Sequence, residues 1–369
     1  MFRLTLCLTL GIAASASAQT LPAPATAQRL ADSLSRAFVA SGGAPSVVVS
    51  VVRGKDTLLL GGYGMADLEN QLPATAKSVY RIGSVTKQFT AAAVMQLVEQ
   101  GKVKLDDPIG KHLPTLPEAW KPATVRQLLN HTSGIPSYTA LGQAWRSRWG
   151  EDMPTDTIVA LTAAKPLDFP IGTKYAYNNS GYVILGMLIE KVTGRTWGED
   201  LEERFSKPLG LSDTRNCLTQ DIIPNRGQGY EQKKEGGWVN SPFLSMSQPH
   251  AAGAMCSTAS DLIRWNQALH NGKVVSAESY RQMTTAEGAA SEGRRQYGFG
   301  LAIDSIAGRK AISHGGGIPG FITANTWIPS AELSVTVISN SGSARSGELL
   351  RQLVHAALGV PLEQRNLTP

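Results

Sequence analysis

Apolar residues recur at three- and four-residue steps through Leu30, Leu34 and Phe38, a spacing that predicts a helix over residues 22–41. The pattern then changes. Residues 45–53 and 56–62 are β-branched and leucine-rich runs separated by Gly54 and Lys55, which reads as a hairpin. Helical spacing resumes at Phe89, Ala92, Val94, Met95 and Val98 and stops near Gly101. From about 123 to 280 helical segments dominate, among them 125–129, 181–192 and 260–269. Strand patterns return at 297–303, 310–313, 321–328 and 333–339, and a last helix is predicted over 347–358.

The order is helix, two strands, a long helical stretch, four strands, helix. Such an order predicts an α+β fold: one antiparallel sheet assembled from both chain ends and flanked by the terminal helices, with a large all-helical lobe inserted between. The corresponding boundaries are 19–78 plus 288–365 for the sheet lobe and 79–287 for the helical lobe. No internal repeat and no low-complexity linker interrupts the chain.

The first 18 residues stand apart. Arg3, the apolar stretch 4–14 and the triplet Ala16-Ser17-Ala18 have the form of a secretory signal peptide cut after Ala18, so an exported protein, periplasmic or extracellular, is expected. The apolar stretch is too short to span a bilayer and no comparable run follows, so no integral membrane segment is expected after cleavage. The formal charge of +6 comes from scattered basic residues without interleaved aromatics, which gives nucleic-acid binding little support. With Cys7 removed, Cys217 and Cys256 remain, and in an oxidising compartment they are the candidate disulfide.

Three short stretches carry candidate chemistry. Ser84 is followed three residues later by Lys87, a spacing that puts both side chains on one helical face. There a partly desolvated lysine can take the serine proton. The spacing by itself is close to chance, but Gly83 directly before it permits close approach at the helix entrance. Tyr177 and Asn179 form the second stretch: a phenol near a cationic lysine can act as general base, and the amide can orient a substrate. The third is His314-Gly315-Gly316-Gly317 at the end of a predicted strand, where glycines let a backbone N–H approach a substrate carbonyl.

Together, in this order, the three stretches resemble the active-site set of the serine β-lactamases and penicillin-binding proteins. The Tyr-x-Asn second motif is similar to that of the class C-like branch, which holds class C β-lactamases, D-Ala-D-Ala carboxypeptidases, D-aminopeptidases and esterases. Residues 125–134 (VRQLLNHTSG), Gly181-Tyr182, Leu185-Gly186, 257–262 (STASDL) and Gly320-Phe321 extend the likeness over nearly the whole mature chain. The resemblance implies a β-lactamase/transpeptidase-like fold with the site between the lobes. It implies Ser84 as acylated nucleophile, Lys87 as its proton partner, Tyr177 as the base that activates water, and Asn179 as the substrate-orienting amide. His314 and Gly316 would line the substrate, with the N–H groups of Ser84 and Gly317 as the oxyanion hole. It implies a structural role for His131 and needs no cofactor or metal.

The third motif departs from the Lys-Thr-Gly usual in β-lactamases of this branch. Loss of the lysine charge and threonine hydroxyl removes one or two charge-assisted hydrogen bonds to a substrate carboxylate, each on the order of 1.5 to 3 kcal/mol. Arg294, Arg295 and Arg309 are the candidates to replace that charge. The expected substrates are small molecules or peptides: esters, amides or D-amino-acid peptides. D-Ala-D-Ala carboxypeptidase, weak β-lactamase and a non-turnover penicillin-binding sensor are the alternatives. A Gly-x-Ser-x-Gly elbow and a His-Glu-x-x-His pair are both missing, which excludes an ordinary α/β-hydrolase and argues against a zinc hydrolase.

Overall fold

The computed structural model describes residues 21–292 and 296–362. The expected signal peptide lies outside them, as do Arg294 and Arg295. From the N-terminal end the chain forms α1 (Pro24–Ala40), β1 (Ser46–Arg53), β2 (Asp56–Asp67), β3 (Leu72–Pro73) and β4 (Tyr80–Arg81). The middle contains α2 (Thr86–Glu99), α3 (Val125–Leu129), α4 (Gln143–Arg146), α5 (Thr155–Ala160), α6 (Asn179–Thr193), α7 (Trp197–Leu201) and α8 (Lys207–Leu209). It continues through β5 (Arg215–Asn216), β6 (Tyr230–Gln232), β7 (Trp238–Asn240), α9 (His250–Gly253), β8 (Met255–Ser257), α10 (Ala259–His270) and α11 (Ala277–Met283). The chain closes with β9 (Gln296–Tyr297), β10 (Ala302–Ile306), β11 (Arg309–Ile318), β12 (Phe321–Ile328), β13 (Leu333–Ser339) and α12 (Ser346–Leu358).

One eight-stranded antiparallel sheet in the order β3-β2-β1-β13-β12-β11-β10-β9 joins both chain ends. The join is the β1–β13 ladder, running from Val47 opposite Ser339 to Arg53 opposite Leu333. Both strands are covered on both faces, which explains the near-continuous apolar runs. Val47, Val49 and Val51 pack with Phe38 of α1 and Leu353 of α12, whereas Val48 and Ile338 face the helical lobe. α1 fits its role through Pro24 at its first turn and a buried stripe at Ala27, Ala31, Ser35 and Phe38.

Several elements differ from the pattern reading, each for a tertiary reason. β2 continues past Gly62 to Asp67, because its far half pairs with β3. The run 297–303 divides into β9 and β10 at Gly298–Leu301. A Cβ at Gly298 would lie 2.0 Å from the Met283 carbonyl oxygen, and Gly300 has φ +69°. β11 does not end at Ser313 but runs through the glycines to Ile318, paired throughout with β12. The inserted lobe is not all-helical either: β4-β8-β5 form a three-stranded sheet inside it and β6-β7 a two-stranded one.

The small sheet also decides the cysteines. Cys217 and Cys256 are two free buried thiols in side-chain contact, not a disulfide. Arg215 is the direct partner of Cys256, and Cys217 bonds the Ala254 carbonyl, so the two cysteines are diagonal neighbours. Diagonal Cα atoms lie about 7–8 Å apart, beyond the span of a disulfide without backbone movement. Protein lacking Cys7, unfolded without reductant, is expected to titrate two thiols; a count of zero would show that the strands shift to close the bridge.

Candidate active site

Gly83–Val85 make a short 3₁₀ turn that runs directly into α2, which places Ser84 at the helix entrance and Lys87 in its first turn. α2 passes through the core, and Lys87 is 0% exposed. Its Nζ lies 3.2 Å from Ser84 Oγ, 2.8 Å from Asn179 Oδ1 and 2.7 Å from the Ala252 carbonyl oxygen. None of these partners is a carboxylate. Burial therefore lowers the Lys87 pKa well below its ordinary value. Nζ can donate to all three partners, and it is desolvation that favours the neutral amine, whose lone pair can then take the proton of the Ser84 hydroxyl.

The other wall comes from the segment before α6. Asn178 caps α6, accepting from the Gly181 N–H at 2.7 Å, and this fixes Tyr177 and Asn179 on either side of it. Tyr177 is 40% exposed to the cleft, and its hydroxyl hydrogen-bonds Ser84. Burial pushes the phenol pKa up against the opposing effect of that bond, so the phenol is held protonated rather than as phenolate. Lys87 Nζ sits 4.7 Å from the centre of its ring. Asn179 is more occupied than expected: its Oδ1 accepts from Lys87 and its Nδ2 donates to Thr139 Oγ1 at 3.0 Å.

The third wall is the edge of β11. Its pairing with β10 ends where Ala302 meets Ser313, so residues 314–318 extend past that neighbour and meet the Ser84 turn. The approach leaves no room for a side chain. A Cβ at Gly316 would stand 1.9 Å from the Ile82 carbonyl oxygen and 3.1 Å from Ser84 N, and one at Gly83 3.0 Å from Gly317 N. At Gly315 the nearest atom would be Thr323 O at 3.6 Å, so there the missing side chain is a matter of chemistry, not space. His314 is buried, with Nε2 2.8 Å from the Tyr297 hydroxyl and Nδ1 2.6 Å from the Gly315 carbonyl oxygen. Its ring thus braces the strand. Arg309 does not replace the missing lysine. It bonds Ser330 Oγ at the opposite end of β11, five residues and roughly 17 Å of strand away from His314.

Pattern reading missed one contributor, and the structural role expected of His131 takes a definite form. The Ala252 carbonyl comes from α9, a segment with no motif signal. His131 sits at φ +61°, and its carbonyl and its Nδ1 accept from the Ala176 and Asn178 N–H groups, at 3.0 and 3.1 Å. Those bonds bracket Tyr177, whose ring lies 4.5 Å from the imidazole. His131 Nε2 is buried without a hydrogen-bond partner among tyrosine rings, and burial together with the nearby Lys87 lowers its pKa well below the usual value. The ring is therefore neutral, with its proton on Nε2, and acts as a clasp on Tyr177. A cleft of about 70 Å³ opens beside Ser84, walled by Tyr138, Trp145, Leu244, Ile318 and Pro319. No described group of His, Cys, Asp and Glu side chains could hold a metal, and no described helix is long and apolar enough to cross a membrane.

The profile of the family described as Beta-lactamase matches residues 31–359. Among solved structures, a D-stereospecific amidohydrolase from Streptomyces sp. is 30% identical, covers 92% of this chain and 100% of its own, and superposes with a TM-score of 0.77. The D-amino acid amidase from Ochrobactrum anthropi SV3, complexed with L-phenylalanine amide, is 26% identical over 89% of this chain and 98% of its own, with a TM-score of 0.80. A D-aminopeptidase from Brucella canis is 28% identical over 86% of this chain, and the chain spans about 60% of that relative's length. The chain belongs to the beta-lactamase family.

Two outcomes follow from the buried amine and its neighbours. Relative to Lys87→Met, wild-type stability should rise with pH: below 10.5 the unfolded lysine binds a proton that the folded one, with its lowered pKa, does not. The slope approaches about 1.4 kcal/mol per pH unit between the two pKa values, and a pH-independent difference would show that Lys87 is charged in the folded state. For the clasp, His131→Asn keeps an acceptor and tolerates positive φ, so it should retain more kcat than His131→Phe, which keeps only the ring. Loss of about ten-fold or more in kcat with KM little changed is expected for His131→Phe; equal kcat in both variants would contradict the clasp.

Proposed function

We propose that this protein is an exported hydrolase that acylates Ser84 with small amide or ester substrates, D-amino-acid amides and peptides foremost. The observation that carries the reading is the buried Lys87 amine, held by two neutral acceptors with Ser84 Oγ 3.2 Å from its Nζ. As Oγ attacks the carbonyl carbon, the serine proton passes to Lys87 and the carbonyl becomes an oxyanion between the Ser84 and Gly317 N–H groups. The Tyr177 hydroxyl gives its proton to the leaving amine or alkoxide and is reprotonated by the Lys87 ammonium. In the second half, water loses its proton through Tyr177 to Lys87 and attacks the acyl carbon, and Ser84 is released with its proton restored.

The substrate class follows from what the third wall lacks. A leaving-side carboxylate finds neither a lysine nor a hydroxyl at 314 and 315, so amides and esters are favoured over penicillins and acyl-D-Ala-D-Ala peptides. The short cleft lined by Tyr138 and Trp145 suits a small apolar side chain on the acyl part. The names of the relatives, a D-stereospecific amidohydrolase, a D-amino acid amidase and a D-aminopeptidase, support D-configured substrates.

A panel of a D-alanine amide, its L-enantiomer, a short-chain aryl ester, a chromogenic cephalosporin and an acyl-D-Ala-D-Ala peptide tests the reading. The D-amide and the ester should turn over, and Ser84→Ala should cost about 10³-fold or more in kcat. Full activity in Ser84→Ala, or a cephalosporin hydrolysed faster than the amide, would overturn it. A Cβ at Gly315 would meet nothing closer than 3.6 Å, and Gly315→Thr should raise kcat/KM for carboxylate-bearing substrates relative to the ester.

A further inference from the structure

A cavity of about 260 Å³ lies beyond the wall of the Ser84 cleft. Pro319 borders both spaces, and the consecutive residues Phe243 and Leu244 border one each. Arg81, Arg226, Cys217 and Asp67 all line the cavity. Arg81 stands on β4, three residues before Ser84, and bonds the Cys217 thiol. Arg226 donates to the Asp221 carbonyl at 3.2 Å, the Leu218 carbonyl at 3.3 Å and Cys217 Sγ at 3.5 Å. Neither guanidinium meets a carboxylate among the described residues, and each keeps N–H donors without a protein acceptor. The carboxylate across the cavity, Asp67, is already bonded by the Asn70 backbone N–H at 2.9 Å and Nδ2 at 2.8 Å and by Tyr230.

Two guanidiniums brought together in a partly desolvated space repel each other and leave donors unfilled. Burial lowers the Arg81 pKa, the Cys217 sulfur opposes that, and the Arg226 charge adds to the lowering. An oxyanion relieves both costs at once, because its oxygens match the planar guanidinium fork and its charge offsets the pair. We propose that this cavity is an oxyanion-binding site that takes a carboxylate or a tetrahedral anion on Arg81 and Arg226. The anion is either the far end of a substrate laid over Pro319 from Ser84 or a separate small anion.

Inorganic sulfate is the probe, titrated against sodium chloride of equal ionic strength, with thermal unfolding and calorimetry as readouts on wild type, Arg226→Gln and Arg81→Gln. Wild type should show a saturable rise in Tm, and each variant should weaken sulfate binding about ten-fold or more, the loss of one charge-assisted contact. No saturable effect, or one that survives unchanged in folded Arg226→Gln, overturns the proposal. The same titration on Ser84→Ala makes the result independent of whether Ser84 is the nucleophile. Kinetics then separate the sources: a KM raised about ten-fold in Arg226→Gln only for esters carrying a distal carboxylate identifies the substrate. Sulfate binding that leaves the KM of every substrate unchanged identifies a separate anion.

Discussion

The structure turns on one constraint, a lysine amine buried without a counter-charge. Lys87 is taken out of water in the first turn of α2 and given three neutral partners, and an ammonium there would go largely uncompensated. The desolvation cost is what makes the amine a base, since a lysine in water is almost fully protonated at neutral pH and has no lone pair to offer. Every neighbouring element serves this arrangement. α6 supplies Asn179, α9 supplies the Ala252 carbonyl, and the 3₁₀ turn brings the Ser84 hydroxyl to the remaining position.

The second requirement is steric. The backbones of Ile82–Ser84 and Gly316–Gly317 lie nearly in contact, which the chain achieves by omitting side chains, and the proposed oxyanion pocket depends on that approach. The small sheet β4-β8-β5 holds the other side of the turn, through the Ile82 N–H bond to the Met255 carbonyl and the Arg81–Cys256 pairing. Ser84 is thus clamped between the main sheet and the small one. Substitutions far from the chemistry, in β8 or at Gly316, act on its position.

Polar side chains that pattern reading assigns to substrate turn out to be partly committed to one another. Asn179 holds Lys87 and His314 braces Tyr297, while His131, structural as expected, brackets Tyr177. This tight inner network leaves the cleft beside Ser84 walled by Tyr138, Trp145 and Leu244, while Arg81 and Arg226 line a separate cavity across Pro319.

What could be read from the chain alone was what depends on local periodicity. The terminal helices, the β1–β2 hairpin and the meeting of Ser84 with Lys87 over one helical turn all follow from spacings within a few residues. Tyr177 and Asn179 were legible only as a motif, because their cap at Asn178 is local but their contact with Lys87 spans 92 residues. The rest was decided by the tertiary structure: β11 continuing through its glycines, the strand break at Gly298, the diagonal cysteines, and the part His131 plays. Each depends on which distant backbone lies a few ångströms away. A glycine reads as a strand end until a neighbouring strand is seen to need the space, and a lysine reads as charged until its burial is known.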